Sequence, residues 1–384
     1  MASDSASGER EGCLYLRRAP APARPPPQPD LGLAGALRKN LFHGWRASLL
    51  TLLCVALAAV LAPPLLRFLV LDAVWSAPDG EACRAPGAGA CWAFIQRKLP
   101  YFIYGAYPSA ERWRVDATMI VGAALVIWLL RLSAPRRGLA ALLFFGAYPL
   151  LAFVLLHGAP ALGLPHVPTD LWGGVFVSLL VAVVGMVVSL PLGVLLALGR
   201  RSRLPLLNLA CAGFIEIVRG VPMITVLFMA NTMLPLFVPE DLAPDRLLRP
   251  LIGVALFASA YMAEVVRGGL AAIPPGQQEA ASALGLSAAQ AQRYVVLPQA
   301  LRAVIPGVVN TFISLFKDTT LVAVVGVFDF LRTIDAARLD PAWAGPTIAA
   351  TGYAFAALFY FTACFAMSRY SRALEGRLSQ GRRR

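Results

Sequence analysis

The chain has 384 residues, is 58% apolar and only 14% charged, and has a mean hydropathy of +0.67. A soluble globular domain carries about 25% charged residues, so these proportions exclude an ordinary water-soluble fold and point to several helices in lipid. The net charge of +13 comes mostly from arginines beside apolar runs, and no basic segment is interleaved with exposed aromatics, which argues against nucleic acid as a partner.

Residues 1–45 are polar and Pro-rich, with Pro20, Pro22 and Pro25-Pro26-Pro27 close together. Such a run cannot hydrogen-bond as helix or sheet, and it reads as a disordered cytosolic tail, with a polyproline-type binding motif as the alternative. No cleavable signal peptide is visible, because the first apolar run is too long for a signal h-region.

Eight spans are predicted, at about 47–70, 115–132, 139–157, 171–199, 206–237, 249–270, 301–328 and 347–368. The fold class is therefore an all-α polytopic membrane protein. Pro63-Pro64 predicts a kink in the first span, and Gly220-Val221-Pro222 predicts a break in the fifth, with a short interfacial helix ahead of the true crossing.

With eight crossings, Arg136-Arg137, Arg200-Arg201, Arg203, Arg293, Arg302 and the tail from Arg369 fall on one side. The positive-inside rule makes that side the cytoplasm and places both termini there. The loops with Glu240, Asp241, Asp245, Asp335 and Asp340 then face outward. The loop 71–114 also faces outward, although it carries Arg84, Arg97 and Lys98. Its aromatic stretch from Trp92 to Tyr104 is predicted to lie at the outer interface. Cys83 and Cys91 share this loop and face an oxidising compartment, as a disulfide or as two unpaired thiols.

Two copies of one pentapeptide mark the inner side: Glu216-Ile217-Val218-Arg219-Gly220 and Glu264-Val265-Val266-Arg267-Gly268. Glu and Arg at i, i+3 share a helix face. Two self-satisfied ion pairs are the simpler expectation, and an inner gate or a brace behind the loop 271–300 is the functional alternative. Lys317-Asp318 lies deep in the seventh span, where charge costs at least about 2.5 kcal/mol per residue. These two residues either border a solute path or pair with neighbouring helices.

The region 271–300 is a polar, Ala-rich loop between two spans. Pro274-Pro275 ends the sixth span, Gln277 to Leu284 form a helix, and Gly285 stops it. Ser287 to Gln290 spell a capping box for a second short helix, and Leu297-Pro298 marks the turn into the seventh span. Ala280, Ala281 and Ala283 offer a partner a smooth surface, with Glu279 as the one charge.

No Gly is followed by Lys anywhere, so the chain has no P-loop. His43, His157 and His166 are isolated, and no catalytic or metal signature is present.

Glu279-Ala280-Ala281, Gly285, Val295, Leu297 and Pro298 together resemble the coupling loop of ABC importer permeases. Glu216 to Pro222, Tyr261 to Gly269, Ile273 to Ala281 and Leu315 to Thr320 extend the resemblance to permeases of polar amino-acid importers, the histidine, glutamine and general L-amino-acid group. This family commonly has Thr or Ser where Val221 stands and Ile where Val295 stands. Residues 46–170, with Cys91 to Ile95 and Glu111 to Val115, resemble the M-type permeases of general L-amino-acid importers.

The resemblance implies a five-helix permease core over 171–373, three additional spans over 46–170, and a basic tail over 374–384. It implies a bacterial inner-membrane complex with a second, non-identical permease, a dimer of ATPase subunits that binds ATP and Mg, and a periplasmic amino-acid-binding protein. An ion-coupled secondary amino-acid transporter is the rival reading. It needs inverted repeats, of which only the short recurrent pentapeptide is present.

Overall fold

The computed structural model describes residues 35, 37, 40–131, 133–239 and 242–380. The readings for most of the N-terminal tail, for Glu240 and Asp241, and for the last four residues lie outside the described residues.

Among the described residues, seven helices are long and apolar enough to cross a membrane, or eight if a bent pair counts as one span. We label the helices used below. α1 is Trp45–Leu66, α2 Trp92–Tyr104, α3 Arg112–Leu130 and α4 Arg137–His157. α5 is Gly174–Gly199, α6 Pro205–Gly220, α7 Met223–Phe237 and α8 Leu248–Ala271. α9 is Pro275–Ala283, α10 spans 288–303, α11 is Ile305–Asp318, α12 Phe330–Ala337 and α13 Ile348–Gln380. The break at Val221-Pro222 bends α6 against α7 by 109°. Proline supplies no amide and fixes its own backbone, so the helix restarts in a new direction.

The chain forms two compact units, Met1–Leu66 and Arg67–Arg384. In the first, α1 contains both Pro63 and Pro64 and has no buried residue. A helix so apolar and so bare is solvated by lipid or by another protein.

In the second unit the loops alternate between two ends, as contacts far apart in sequence make plain. At one end, Gly105 bridges to Trp172, and Gly173 and Gly174 bridge to Phe328 and Asp329. The approach requires glycine: a Cβ on Gly174 would stand 2.3 Å from Phe102 O, and one on Gly105 would stand 2.5 Å from Gly173 Cα. Both also have positive φ, of 74° and 63°, a conformation that L side chains resist.

This end carries a lobe built from segments more than 200 residues apart. A disulfide joins Cys83 to Cys91, with 5.6 Å between the Cα atoms. Arg84 donates to Ala344 O and Pro341 O, both at 2.8 Å, and Cys91 N donates to Thr351 Oγ1 at 2.9 Å. Lys98 pairs with Asp340 and holds that carboxyl below its ordinary range. Phe94, Phe102, Phe330 and Trp343 make the apolar core of the lobe. The aromatic stretch thus faces protein more than an interface: Phe94 and Phe102 are fully buried, against α12 and the start of α13.

Asp329 caps α12, accepting from Leu331 N at 3.1 Å and Arg332 N at 3.0 Å. Burial pushes its carboxyl up to about 6 against the pull of those amides. The folded protein therefore retains a proton on Asp329 that the unfolded chain releases between an ordinary 3.8 and about 6. Asparagine caps a helix as well as aspartate does. Relative to Asp329→Asn, the wild type should gain stability on the order of 2 kcal/mol as pH falls from 7 to 4. Thermal melts of the two proteins across that range should diverge by that amount, and parallel curves would refute the argument.

Candidate functional site

The opposite, arginine-rich end of the bundle holds most of the residues singled out from the sequence. α9 begins after Pro274, which is extended, and runs to Ala283. Its end is a complete Schellman turn: Leu286 N donates to Ala281 O at 3.1 Å and Gly285 N to Ser282 O at 3.0 Å, with Gly285 at φ 79°. The expected capping box is formed, as Ser287 and Gln290 bond each other's backbone amides. Gln299 Nε2 donates to Gln277 Oε1 at 3.0 Å and ties α10 back to α9. The two helices therefore make one braced hairpin.

The hairpin presents Gln278, Glu279, Ala280, Ser282 and Ala283 to the outside, together with Leu284, 84% exposed. Two sequence expectations change. Ala281 is buried and anchors α9, so it is not part of the exposed surface. Leu297-Pro298 does not turn the chain into the next span: α10 runs through it by a wide π turn over Gln292–Val296, and the break falls at Val304. Proline fits there because it sits at the second position of the segment Leu297–Ala303, just past the wide turn. Val295 and Leu297 are half-buried, Gly285 and Pro298 exposed.

Behind the hairpin, Val296 and Ala300 pack in a core with Ile215 of α6 and with Met262, Val266 and Leu270 of α8. The two backbones meet closely, for a Cβ on Gly269 would stand 2.8 Å from Ala300 O.

Interleaved with that core along α8, between Met262 and Leu270, lies an ion network. The sequence predicts two separate i, i+3 pairs, and the structure forms only one of them. Arg267 pairs with Glu264 within α8. Glu216 instead accepts from Arg200 at 2.7 Å, and Arg219 turns to Glu264 at 3.6 Å. Arg200 also reaches Glu264, at 3.7 Å. Arg219 lies 5.5 Å over the Tyr261 ring, a cation–π contact. The bend after α6 sets this exchange, since it brings the end of α6 against α8. Glu264 is thus a hub for the ends of α5, α6 and α8, with its side chain 24% exposed. Sequence reasoning used Arg200 only to set orientation; the turn after α5 that aims it at α6 carries no local signal.

Lys317 and Asp318 stand apart from this network. α11 ends at Asp318 and continues as a 3-10 turn, Thr319–Val325. The Lys317 side chain is exposed and makes no hydrogen bond or ion pair among the described residues, although its carbonyl accepts from Thr320 Oγ1 at 3.0 Å, while Asp318 is half-buried. The exposed residues Pro306, Asn310, Ser314 and Lys317 recur at helical spacing along α11, and Leu315 and Phe316 point the other way into the core. This polar stripe was missed because Asn310 and Ser314 carry no charge; the i, i+4 recurrence was the available signal.

The comparisons with known proteins make this many-span bundle a transport permease, a transporter and not an enzyme. The chain belongs to the family of binding-protein-dependent transport system inner membrane components, whose signature matches residues 189–380. It is 47% identical over 346 residues to the inner membrane amino-acid ABC transporter permease protein YhdY of Escherichia coli (strain K12), covering 90% of this chain and 93% of that one. It is 38% identical over 436 residues to BztC, a glutamate/glutamine/aspartate/asparagine transport system permease of Rhodobacter capsulatus, covering 96% and 99%. A solved amino acid ABC transporter with histidines aligns over 52% of this chain and 90% of its own, at 28% identity and a TM-score of 0.46. The family works with ATPase and substrate-binding partners, and nothing in these relatives supports ion coupling.

A hub and two independent pairs respond differently to mutation. Glu264→Gln leaves three guanidinium groups without their shared counter-charge and should cost about 1–3 kcal/mol. Glu216→Gln removes one exposed contact and should cost less than about 1 kcal/mol. Thermal melts of the purified complex check this; equal losses would restore the two-pair picture.

Proposed function

We propose that this chain is a permease subunit of an ATP-driven amino-acid importer. The observation that carries the reading is the braced hairpin α9–α10, packed through Val296, Ala300 and Gly269 onto the end of α8 just below Glu264. A rigid exposed handle joined to the ends of three spans can pass a push from outside the bilayer into the bundle. The amino-acid class is supported by the names of the relatives.

In this reading the arginine-rich end and both termini lie in the cytoplasm of a bacterial cell, and the disulfide lobe lies in the periplasm. Residues 46–170 add three spans to a core over 171–373, and 374–384 form a basic tail. A separate ATPase dimer binds ATP and Mg and grips α9; Glu279 and Leu284 are its contact points. A periplasmic amino-acid-binding protein delivers solute at the lobe end.

The polar stripe on α11 supports a second, non-identical permease. Exposed Asn310, Ser314 and Lys317 at membrane depth require protein or water beside them. Paired with a similar subunit, the stripe would line the solute path, where Lys317 can meet the carboxylate of an amino acid and Asp318 its ammonium group. Glu216, Arg219, Glu264 and Arg267 then act as an inner gate: their network closes α6 onto α8, and movement of α9 opens it.

Two variants test the reading separately. Glu279→Arg should weaken co-purification of the ATPase by about tenfold or more, the effect of reversing one contact charge, while the permease still folds. Lys317→Met should leave the complex assembled and ATP hydrolysis intact but reduce uptake of labelled amino acid by about tenfold or more. Full uptake by the Lys317 variant would remove it from the path; unchanged ATPase retention by the Glu279 variant would remove the hairpin from the contact.

A further inference from the structure

The turn between α3 and α4 is closed by two bonds of its own and tied to α13 by a third. Trp128 Nε1 donates to Pro135 O at 2.9 Å, Arg137 Nε to Leu129 O at 3.1 Å, and Tyr370 Oη to Leu130 O at 3.0 Å. The last of these joins the added spans to the C-terminal helix of the core. It brings the turn that carries Arg131, Arg136 and Arg137 to the segment of α13 that carries Arg369, and all four are exposed. None of the four makes an ion pair among the described residues, and only Arg137 spends a donor, on Leu129 O. No carboxylate occurs in the sequence between Asp116 and Asp170. On α13 the one carboxylate, Glu375, is engaged by Ser371 Oγ at 2.9 Å. Four cations thus lie on the two segments that meet at this seam, and none is ion-paired among the described residues.

One turn toward the hydrocarbon, Ile127, Leu142 and Phe365 are all exposed. Trp128 and Tyr370, which tie the turn together and to α13, are residue types that prefer the boundary between water and lipid. Cations over a bare apolar surface, with aromatics at the boundary, match the shape of a phospholipid. We infer that this seam is a binding site for an anionic phospholipid. Its phosphate sits among Arg131, Arg136, Arg137 and Arg369, and its acyl chains cover Ile127, Leu142 and Phe365. The lipid bridges the added spans and the core. An acidic protein face has no use for the apolar half of this surface, and a free phosphate has none either.

The test uses the intact transporter, stripped of native lipid and titrated with phosphatidylglycerol, with phosphatidylcholine or with inorganic phosphate; bound lipid is read by native mass spectrometry and stability by thermal melts. A basic residue near an anionic headgroup contributes about fivefold in affinity. The wild type should therefore prefer phosphatidylglycerol to phosphatidylcholine, and the triple variant Arg131→Gln/Arg136→Gln/Arg369→Gln should bind it about a hundredfold more weakly. A control, Arg201→Gln/Arg203→Gln, removes exposed cations elsewhere at the same end and should bind as the wild type does. The proposal fails if the wild type shows no preference, which needs no variant at all. It fails if the control loses as much as the triple variant, or if inorganic phosphate stabilises as well as lipid. Loss of the ATPase from the triple variant with lipid binding unchanged would reassign the patch to a protein contact.

Discussion

The arginine-rich end of this bundle depends on one carboxylate. Glu264 stands within reach of Arg200, Arg219 and Arg267, which come from the ends of α5, α6 and α8. Three guanidinium groups cannot crowd together without a shared anion. Because the carboxylate sits on α8 and α9 starts only a few residues beyond Ala271, the position of the exposed hairpin is set by the same packing that seats the anion. Any displacement of α9 strains contacts made by three spans at once. Each pair alone is the half-exposed kind that contributes little; their convergence on one oxygen pair makes the arrangement sensitive.

The second constraint is the lipid itself. Most of the surface is apolar, and exposed Leu and Phe side chains need no partner in hydrocarbon. α11 is the exception. Its stripe of Pro306, Asn310, Ser314 and Lys317 is the wrong surface for acyl chains, and its opposite face is fully committed to the core through Leu315 and Phe316. A helix with two occupied faces, one apolar and one polar, sits at a boundary between its own bundle and something wet or proteinaceous.

Much of this was legible in the sequence, for identifiable reasons. The spans follow from runs of apolar residues, and all eight expected positions coincide with helices, including the break at Val221-Pro222. The capping box at Ser287 and the Gly285 stop are local rules obeyed locally. Pairing rules failed where a bend brought in a distant partner. Glu216 and Arg219 have ideal i, i+3 spacing, yet each bonds to another helix, because α6 ends in a corner that points both side chains outward. Leu297-Pro298 misled for the opposite reason: proline usually ends a helix, but here it lies where the helix has already widened. The fate of the aromatic stretch, buried in a lobe, depends on residues some 240 positions later and has no local signature.

That lobe bears on how the protein comes into being. Cys83 and Cys91 are eight residues apart, so their loop can be cross-linked within itself before the later segments are made. Its other contacts, to Pro341, Ala344 and Thr351, do not exist until the ribosome has made nearly the whole chain. An early-born segment is therefore left waiting, shaped but unpartnered, for its late-born complement. A chain whose intervening spans crossed in the wrong sense would leave the two halves of the lobe on opposite sides of a bilayer, unable to meet.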